Sequence, residues 1–204
     1  SKYFLFHALY ILMPGLFVYK ALKFDGDFVE RMVFAFGIGI TLVIVEYLVF
    51  YMINWRIGLY VLNPLLALAL LISSFPQIKK RDFGKGSIPF EVWGVVALLT
   101  LIAFLGMTLN APGPELAGSM SYHQDKLWST GIIQALITQF PPIDVHISGH
   151  ELKYHYFSFI YMSVISIITK IDPMDVYFKF SQILKPLFLA LSVYYLGQVI
   201  FSDK

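Results

Sequence analysis

A polar stretch between residues 110 and 157 holds most of the side chains that could do chemistry. It lies between two strongly apolar runs and contains four of the five histidines, two aspartates and two glutamates. Ser121 and Gln124 have capping-box spacing, so Asp125 falls in the first turn of a predicted helix. The helix dipole favours an ionised carboxylate there, and such a carboxylate can act as a general base. First-turn acids also commonly do no more than stabilise their helix.

A second polar group follows at the end of the same stretch. Histidine and carboxylate side chains are good ligands for a divalent ion, so a metal site is one interpretation. A second is interfacial histidines that bond to the backbone or to lipid phosphate. A third is a phosphate held by charge-assisted hydrogen bonds from His123, Lys126, Lys153 and the later histidines. The residues that could supply metal ligands are His146, His150, Glu151 and His155. The run from His150 to His155 is not a zinc-protease motif, because its second histidine comes one position too late.

The composition indicates what must position these groups. Of the 204 residues, 58% are hydrophobic, against roughly 45–50% in soluble domains, and only 14% are charged. These values favour an all-α polytopic membrane protein. The net charge of +2 is too small to indicate nucleic-acid binding, and the absence of cysteine excludes disulfides, thiol catalysis and cysteine-ligated zinc.

The apolar runs predict a transmembrane helical bundle of about six spans. We divide the chain into N-terminal spans (residues 1–108), a loop (109–153) and C-terminal spans (154–204) that are expected to continue in a longer protein. The most basic loop, 77–89, is predicted to be cytoplasmic by the positive-inside rule. Alternation then makes the 109–153 loop extracytoplasmic, in a cell (inner) membrane. The predicted spans are 3–19, 32–53, 58–75, 91–107, about 154–169 running inward and about 183–201 running outward.

Two further patterns bear on function. Apolar residues recur at helical spacing over 127–140, which predicts an amphipathic helix in the membrane surface that ends at Pro141-Pro142. Glu46 and His7 lie within predicted spans, where ionisable groups usually face a partner or an aqueous path. They would line a path if the chain were a transporter, although the repeats typical of transporters are missing.

The polar stretch resembles the GT-C superfamily of membrane glycosyltransferases. The strings that carry the resemblance are SYHQDKLW at 121–128, FPPID at 140–144 and SGHELKYHYF at 148–157. They are closest to a polytopic branch with a Pro-Pro-x-Asp and a Tyr-Tyr-Tyr-Phe-like signature. The resemblance covers about a quarter of the chain. The chain differs from the superfamily in having few predicted spans, and several of these spans precede the motif loop.

The resemblance implies roles for individual residues. Asp125 matches the catalytic base, and the sugar donor is expected to be a polyprenyl-phosphate lipid. Asp144 matches the aspartate after the double proline and, with His146 and Glu151, makes up the candidate ligand set for a divalent metal ion. The candidate substrate- and phosphate-binding residues are His123, Lys126, His150, Lys153, Tyr154 and His155. The alternative interpretation is a non-catalytic membrane subunit that docks onto other subunits.

Overall fold

The protein is mainly helical in the part of the chain that its computed structural model describes. That part comprises residues 2–24, 26–79, 93–95, 97–99, 101–102, 105, 124–144, 149–153 and 155–201, with the backbone alone for 74–79, 124–126 and 182–183. The named helices are α1 (Lys2–Ala21), α2 (Phe28–Met52), α3 (Gly58–Lys79), α4 (Gln124–Thr138), α5 (Phe157–Thr169) and α6 (Ser181–Phe201). Residues 93–95, 97–99, 101–102 and 105 are also helical.

Helix α1 contains Pro14 and continues past it because the turn before the proline is wider than an α-helical turn. Pro14 has no N–H to give to the carbonyl four residues earlier. Just before it, His7–Leu12 forms a π-helical turn, in which the Met13 N–H bonds to the carbonyl of Ala8, five residues back. Such a turn lets a helix continue past a missing donor. Helix α2 begins more simply, because the Asp27 carboxylate accepts from the Glu30 N–H at 2.8 Å as an N-cap.

Helices α1 and α2 pack antiparallel with their backbones in close contact. A Cβ placed on Gly15 would overlap the carbonyl of Ala35, and one on Gly39 would overlap the carbonyl of Ile11. Glycine at both crossings therefore allows the approach, as is common between membrane helices. Helix α3 runs alongside α1 in the same direction.

Helices α4 and α5 pack together across one end of this three-helix bundle, which we call the α4 end. Their inward faces join one core with residues of α1, α2 and α3. The fully buried members from α4 and α5 are Ile132, Ile133, Leu136, Ile160 and Ile165. The opposite end, which we call the Lys20 end, includes Lys20, whose ammonium donates to the Ser73 carbonyl at 3.0 Å.

Helix α5 begins and ends at the α4 end. Tyr161 in its first half bonds to His7, and Lys170, just after its last residue, donates to the Tyr60 hydroxyl at 3.3 Å. Thirteen residues span about 20 Å, short of the roughly 30 Å of a hydrocarbon core. The interpretation of 154–169 as an inward span that delivers Lys170 to the opposite face therefore differs from the structure.

Helix α6 consequently runs in the opposite direction from the one expected. Phe180, just before it, stacks on Tyr3 at the α4 end, with ring centroids 4.9 Å apart. Farther along, Tyr195 meets Phe34 at 5.9 Å, and Leu191 packs on Val29 near the start of α2. Helix α6 therefore leads from the α4 end to the Lys20 end, antiparallel to α2.

Three helices in the described residues are long and apolar enough to cross a membrane. They are α1, α2 and Leu184–Phe201 within α6. This pattern is the one expected of an integral membrane protein. The count of six spans is not reached within the described residues, and most of the predicted span 91–107 lies outside them.

Candidate functional site

The predicted base lies at the N-terminal end of α4. The backbone of Asp125 is the second residue of Gln124–Thr138 and so occupies the first helical turn. Its side chain and that of Lys126 lie outside the described part of the structure. Ser121, expected to cap this helix, also lies outside it, as do His123, His146 and Tyr154.

The other end of α4 is held by side chains from α2 and from the turn that follows α2. Pro141 and Pro142 stand four residues after Ile137 and Thr138, and neither proline has an N–H for those carbonyls. Tyr51 donates its hydroxyl to the carbonyl of Ile137 at 3.1 Å. The guanidinium of Arg56 donates to the carbonyl of Thr138 at 3.0 Å. These two donors replace the ones that the double proline removes.

A third side chain donates to the carbonyl of Leu136, one residue before Ile137. The buried Tyr47 hydroxyl donates to the carbonyl of Leu136. Tyr47 stacks on Tyr51 with centroids 4.2 Å apart, and Arg56 lies 4.4 Å from the centre of the Tyr51 ring. The positive charge of Arg56 also suits the negative end of the helix dipole. The C-terminus of α4 is therefore held in a defined position relative to the spans.

Helix α5 holds α4 from a second side. Ser163 is fully buried, and its hydroxyl, which has one hydrogen, lies within donating distance of two carbonyls, that of Phe159 at 2.7 Å and that of Ile133 on α4 at 3.1 Å. The orientation of α4, and with it the position of the Asp125 backbone, is thus set by contacts with both α2 and α5.

The residues after the double proline form a closed loop. The Asp144 N–H donates to the His150 carbonyl, and the Leu152 N–H to the Pro142 carbonyl, both at 2.8 Å. Pro142 and Leu152 are buried at its base, and Gly149 has a positive φ of 82° that favours glycine. The loop places Asp144 opposite His150 in the backbone pairing, which their separation in the sequence did not indicate.

The predicted binding residues in this loop face solvent or lipid rather than a core. His150, Glu151, Lys153 and His155 are exposed, and Asp144 is half-buried. Residues 149–153 lie in no helix, because Glu151 pairs with Ile143 in an isolated antiparallel bridge.

The metal-ion prediction is not supported by any cluster in the described residues. Among them, no three His, Asp or Glu side chains come together in a way that could hold an ion. His146, one of the three candidate ligands with Asp144 and Glu151, lies outside the described residues. The metal site therefore stays a prediction.

Of the two ionisable groups predicted to lie within spans, His7 is buried in a hydrogen-bonded setting. Its Nδ1 lies 2.8 Å from the Tyr3 carbonyl, which can only accept, so Nδ1 carries the hydrogen. In a neutral ring Nε2 then accepts from the hydroxyl of Tyr161. His7 thus joins α1 to α5. Glu46 is likewise buried, beside Asn63 of α3.

Sequence reasoning missed the residues that position the site. The sequence patterns singled out none of Tyr47, Tyr51 and Arg56 for this role. The double proline carried a usable signal, because each proline implies an unpaired carbonyl four residues earlier that some other donor must meet.

The comparisons with known proteins assign no family to this site. No family model, no curated protein and no solved structure matches the chain. Grooves on the described surface are lined by Tyr194, Gly197, Gln198 and Phe201 on α6, and by residues of α2 between Val33 and Leu42. Neither groove includes a residue of the predicted site.

Proposed function

We propose that the chain is a GT-C-type membrane glycosyltransferase, or the membrane half of one, that uses Asp125 as a general base. It transfers a sugar from a polyprenyl-phosphate donor at the extracytoplasmic face of a cell (inner) membrane. The observation that carries the proposal is the fixed placement of α4. A catalytic acid or base needs a defined position relative to its substrate, and rigid elements provide this better than loops do.

The placement of α4 suits a lipid-linked donor. The C-terminal end of α4 packs where α2 ends and α3 begins, and we infer that its first turn lies near the same level. A donor whose polyprenyl chain lies in the bilayer presents its phosphate near that level. The Asp125 carboxylate would take the proton from an acceptor hydroxyl as the oxygen attacks the anomeric carbon, and the lipid phosphate would leave toward the membrane.

Cationic and polar residues of the polar stretch are proposed to stabilise the leaving phosphate. Negative charge develops on the departing phosphate, and donors aimed at it stabilise the transition state. Lys153 and the histidines at 123, 150 and 155 are the groups proposed for this role, together with Lys126 and Tyr154. We assign no step to a metal ion.

The test is D125N, which keeps the shape of the side chain and removes its basicity. Membranes containing the full chain would be given a panel of polyprenyl-phosphate hexoses and pentoses with radiolabelled sugars. We expect transfer by the parent and a loss of at least about 100-fold in D125N, the usual contribution of a general base. The matched control is D175N, because Asp175 makes only a half-exposed pair with Lys179 at 2.8 Å. Normal transfer by D125N would remove Asp125 from the role.

The orientation follows from the charges at the Lys20 end. Lys20, Lys23 and Arg31 lie there, and α3 ends there at Lys79, where the basic loop 77–89 begins. The positive-inside rule places that end in the cytoplasm and the α4 end, with the polar stretch, outside.

One observation favours the alternative of a non-catalytic subunit. In the most apolar window of α6 only 6% of the residues are buried, against 39% in α1 and 33% in α2. Within the described residues, α6 thus has a broad free face for lipid or for another membrane subunit. This alternative predicts that D125N is silent and that the chain purifies with defined partners.

A further inference from the structure

Two buried polar side chains meet between the membrane-spanning helices. Glu46 of α2 is 6% exposed, and Asn63 of α3 is 1% exposed. The Asn63 amide donates from Nδ2 to Oε2 of Glu46. This pair lies outside the polar stretch and plays no part in the chemistry proposed for Asp125.

Each member of the pair has one oxygen without a partner. Glu46 Oε1 and Asn63 Oδ1 are both buried and make no hydrogen bond in the described part of the molecule. They belong to the same two planar groups that already share the Nδ2–Oε2 bond. An ionised carboxylate and an amide oxygen are both acceptors only, so neither can satisfy the other. Buried acceptors without donors are costly, more so in lipid than in a soluble protein.

A single proton satisfies both oxygens. Placed on Oε1, it turns that oxygen into a donor, for which Oδ1 of Asn63 is an acceptor of the right chemistry. The acid and the amide then share two hydrogen bonds, one in each direction. Protonation also removes the charge from Glu46, and an unpaired charge within a span is expensive.

The surroundings of Glu46 offer no positive charge that would favour its ionised form. In the described residues, no lysine or arginine pairs with it, and Tyr10 of α1 interacts with both Glu46 and Tyr60 of α3. The Tyr10 hydroxyl points to the Tyr60 carbonyl at 3.4 Å. A tyrosine side chain carries no positive charge in either of its protonation states, so neither residue can compensate the charge of a carboxylate.

We propose that Glu46 and Asn63 form a proton-binding site inside the bundle, in which Glu46 holds a proton that it shares with the side-chain oxygen of Asn63. The site links α2 to α3 as a neutral pair, and losing the proton breaks one of its two bonds. Its ligand is a proton rather than a metal cation, because the structure supplies two unpaired oxygens, and one added hydrogen serves both of them. The proposal is independent of the sugar-transfer reaction.

The test compares E46Q with E46L in the full chain in lipid nanodiscs. E46Q replaces the acid hydroxyl with an amide N–H that can donate to Asn63 while its oxygen accepts, so the paired arrangement survives. E46L leaves both polar atoms of Asn63 buried and unpaired. We expect the Tm of E46Q to lie within about 2 °C of the parent and that of E46L to fall by more than about 4 °C, on the scale typical of a chain of this size. A Tm for E46Q as low as that of E46L would overturn the proposal.

The nature of the ligand is tested by salt and by infrared spectroscopy. We expect the parent Tm to be equal in NaCl, KCl and choline chloride at one ionic strength. A rise specific to Na⁺ or K⁺ that E46Q loses would show a cation site and overturn the proposal. The parent spectrum at neutral pH should contain the carbonyl band of a protonated carboxylic acid, lost in E46Q and kept in the control E30Q. A parent spectrum without that band would equally refute the proton site.

Discussion

The hydroxyl of Tyr47 on α2 donates a hydrogen bond to the backbone carbonyl of Leu136 on α4. With Tyr51 and Arg56 it supplies hydrogen bonds to three successive carbonyls at the end of α4. Two of these carbonyls precede prolines by four residues and have no donor within their own helix. Helix α4, which carries the candidate base, is therefore positioned by α2 and by the turn that follows it.

The Tyr47 contact predicts a measurable loss in stability. Y47F keeps the ring stack with Tyr51 and removes only the hydroxyl, which leaves the buried Leu136 carbonyl unpaired. We expect a loss of about 1–3 kcal/mol in the free energy of unfolding, measured by denaturant titration in mild detergent. The control is Y194F, because the hydroxyl of Tyr194 meets only the exposed side chain of Gln198 at 2.9 Å. Equal effects from the two variants would show that Tyr47 does not hold α4 in this way.

The α1–α2 crossing predicts opposite effects for glycines on the same helix. A methyl group at Gly39 would overlap the Ile11 carbonyl, whereas one at Gly37 meets nothing within 4 Å. We expect G39A to destabilise the protein by about 1–3 kcal/mol through overpacking. G37A should be neutral or stabilising by up to about 1 kcal/mol, because alanine favours helix more than glycine does. Thermal unfolding of both variants is the measurement, and a G39A as stable as G37A would contradict the close crossing.

The cap of α2 predicts a graded response at Asp27. D27A removes the acceptor for the Glu30 N–H and should cost about 1 kcal/mol, whereas D27N retains an acceptor oxygen and should cost much less. Denaturant titration of both variants against the parent measures the difference. If D27N lost as much stability as D27A, the charge of Asp27 rather than its capping bond would be the cause.

The course of α5 and α6 predicts which residues share a side of the membrane. The chain has no cysteine, so single introduced cysteines can be labelled without background. With an impermeant maleimide on intact cells, we expect K153C and K170C to react, because Lys170 lies at the α4 end. K23C and F201C should react only after the membrane is opened. Labelling of F201C but not K170C from outside would restore the six-span topology expected from the apolar runs.

The apolar runs located most of the helices. They did not show which helices extend from one end of the bundle to the other and which stay at one end. The predicted spans 32–53 and 183–201 correspond to α2 and α6 within a few residues. The run 154–169 was just as apolar, and α5 lies within it. A run of this length looks the same whether lipid or protein surrounds it. In α5 it is protein, since Ile160, Val164 and Ile165 are all at most 1% exposed.

In the candidate site, too, the sequence indicated the residues but not the contacts that position them. The candidate residues between Asp125 and His155 were proposed from their types and spacing. Their supporting contacts were not, because Tyr47 and Leu136 are 89 residues apart. The pairing of Asp144 with His150 was equally hidden from the sequence, because it depends on backbone hydrogen bonds between residues that no local pattern connects.

By itself, the sequence determined that this is a helical chain, apolar enough for a membrane protein, with most of its histidines in one polar stretch. These properties follow from composition and from local periodicity, both of which can be read from residues close together in the sequence. Only the tertiary structure decided that α5 stays at one end, that α6 returns toward Lys20, and that Glu46 meets Asn63. Those outcomes depend on which distant donors satisfy which buried acceptors, and no local pattern in the chain encodes that pairing.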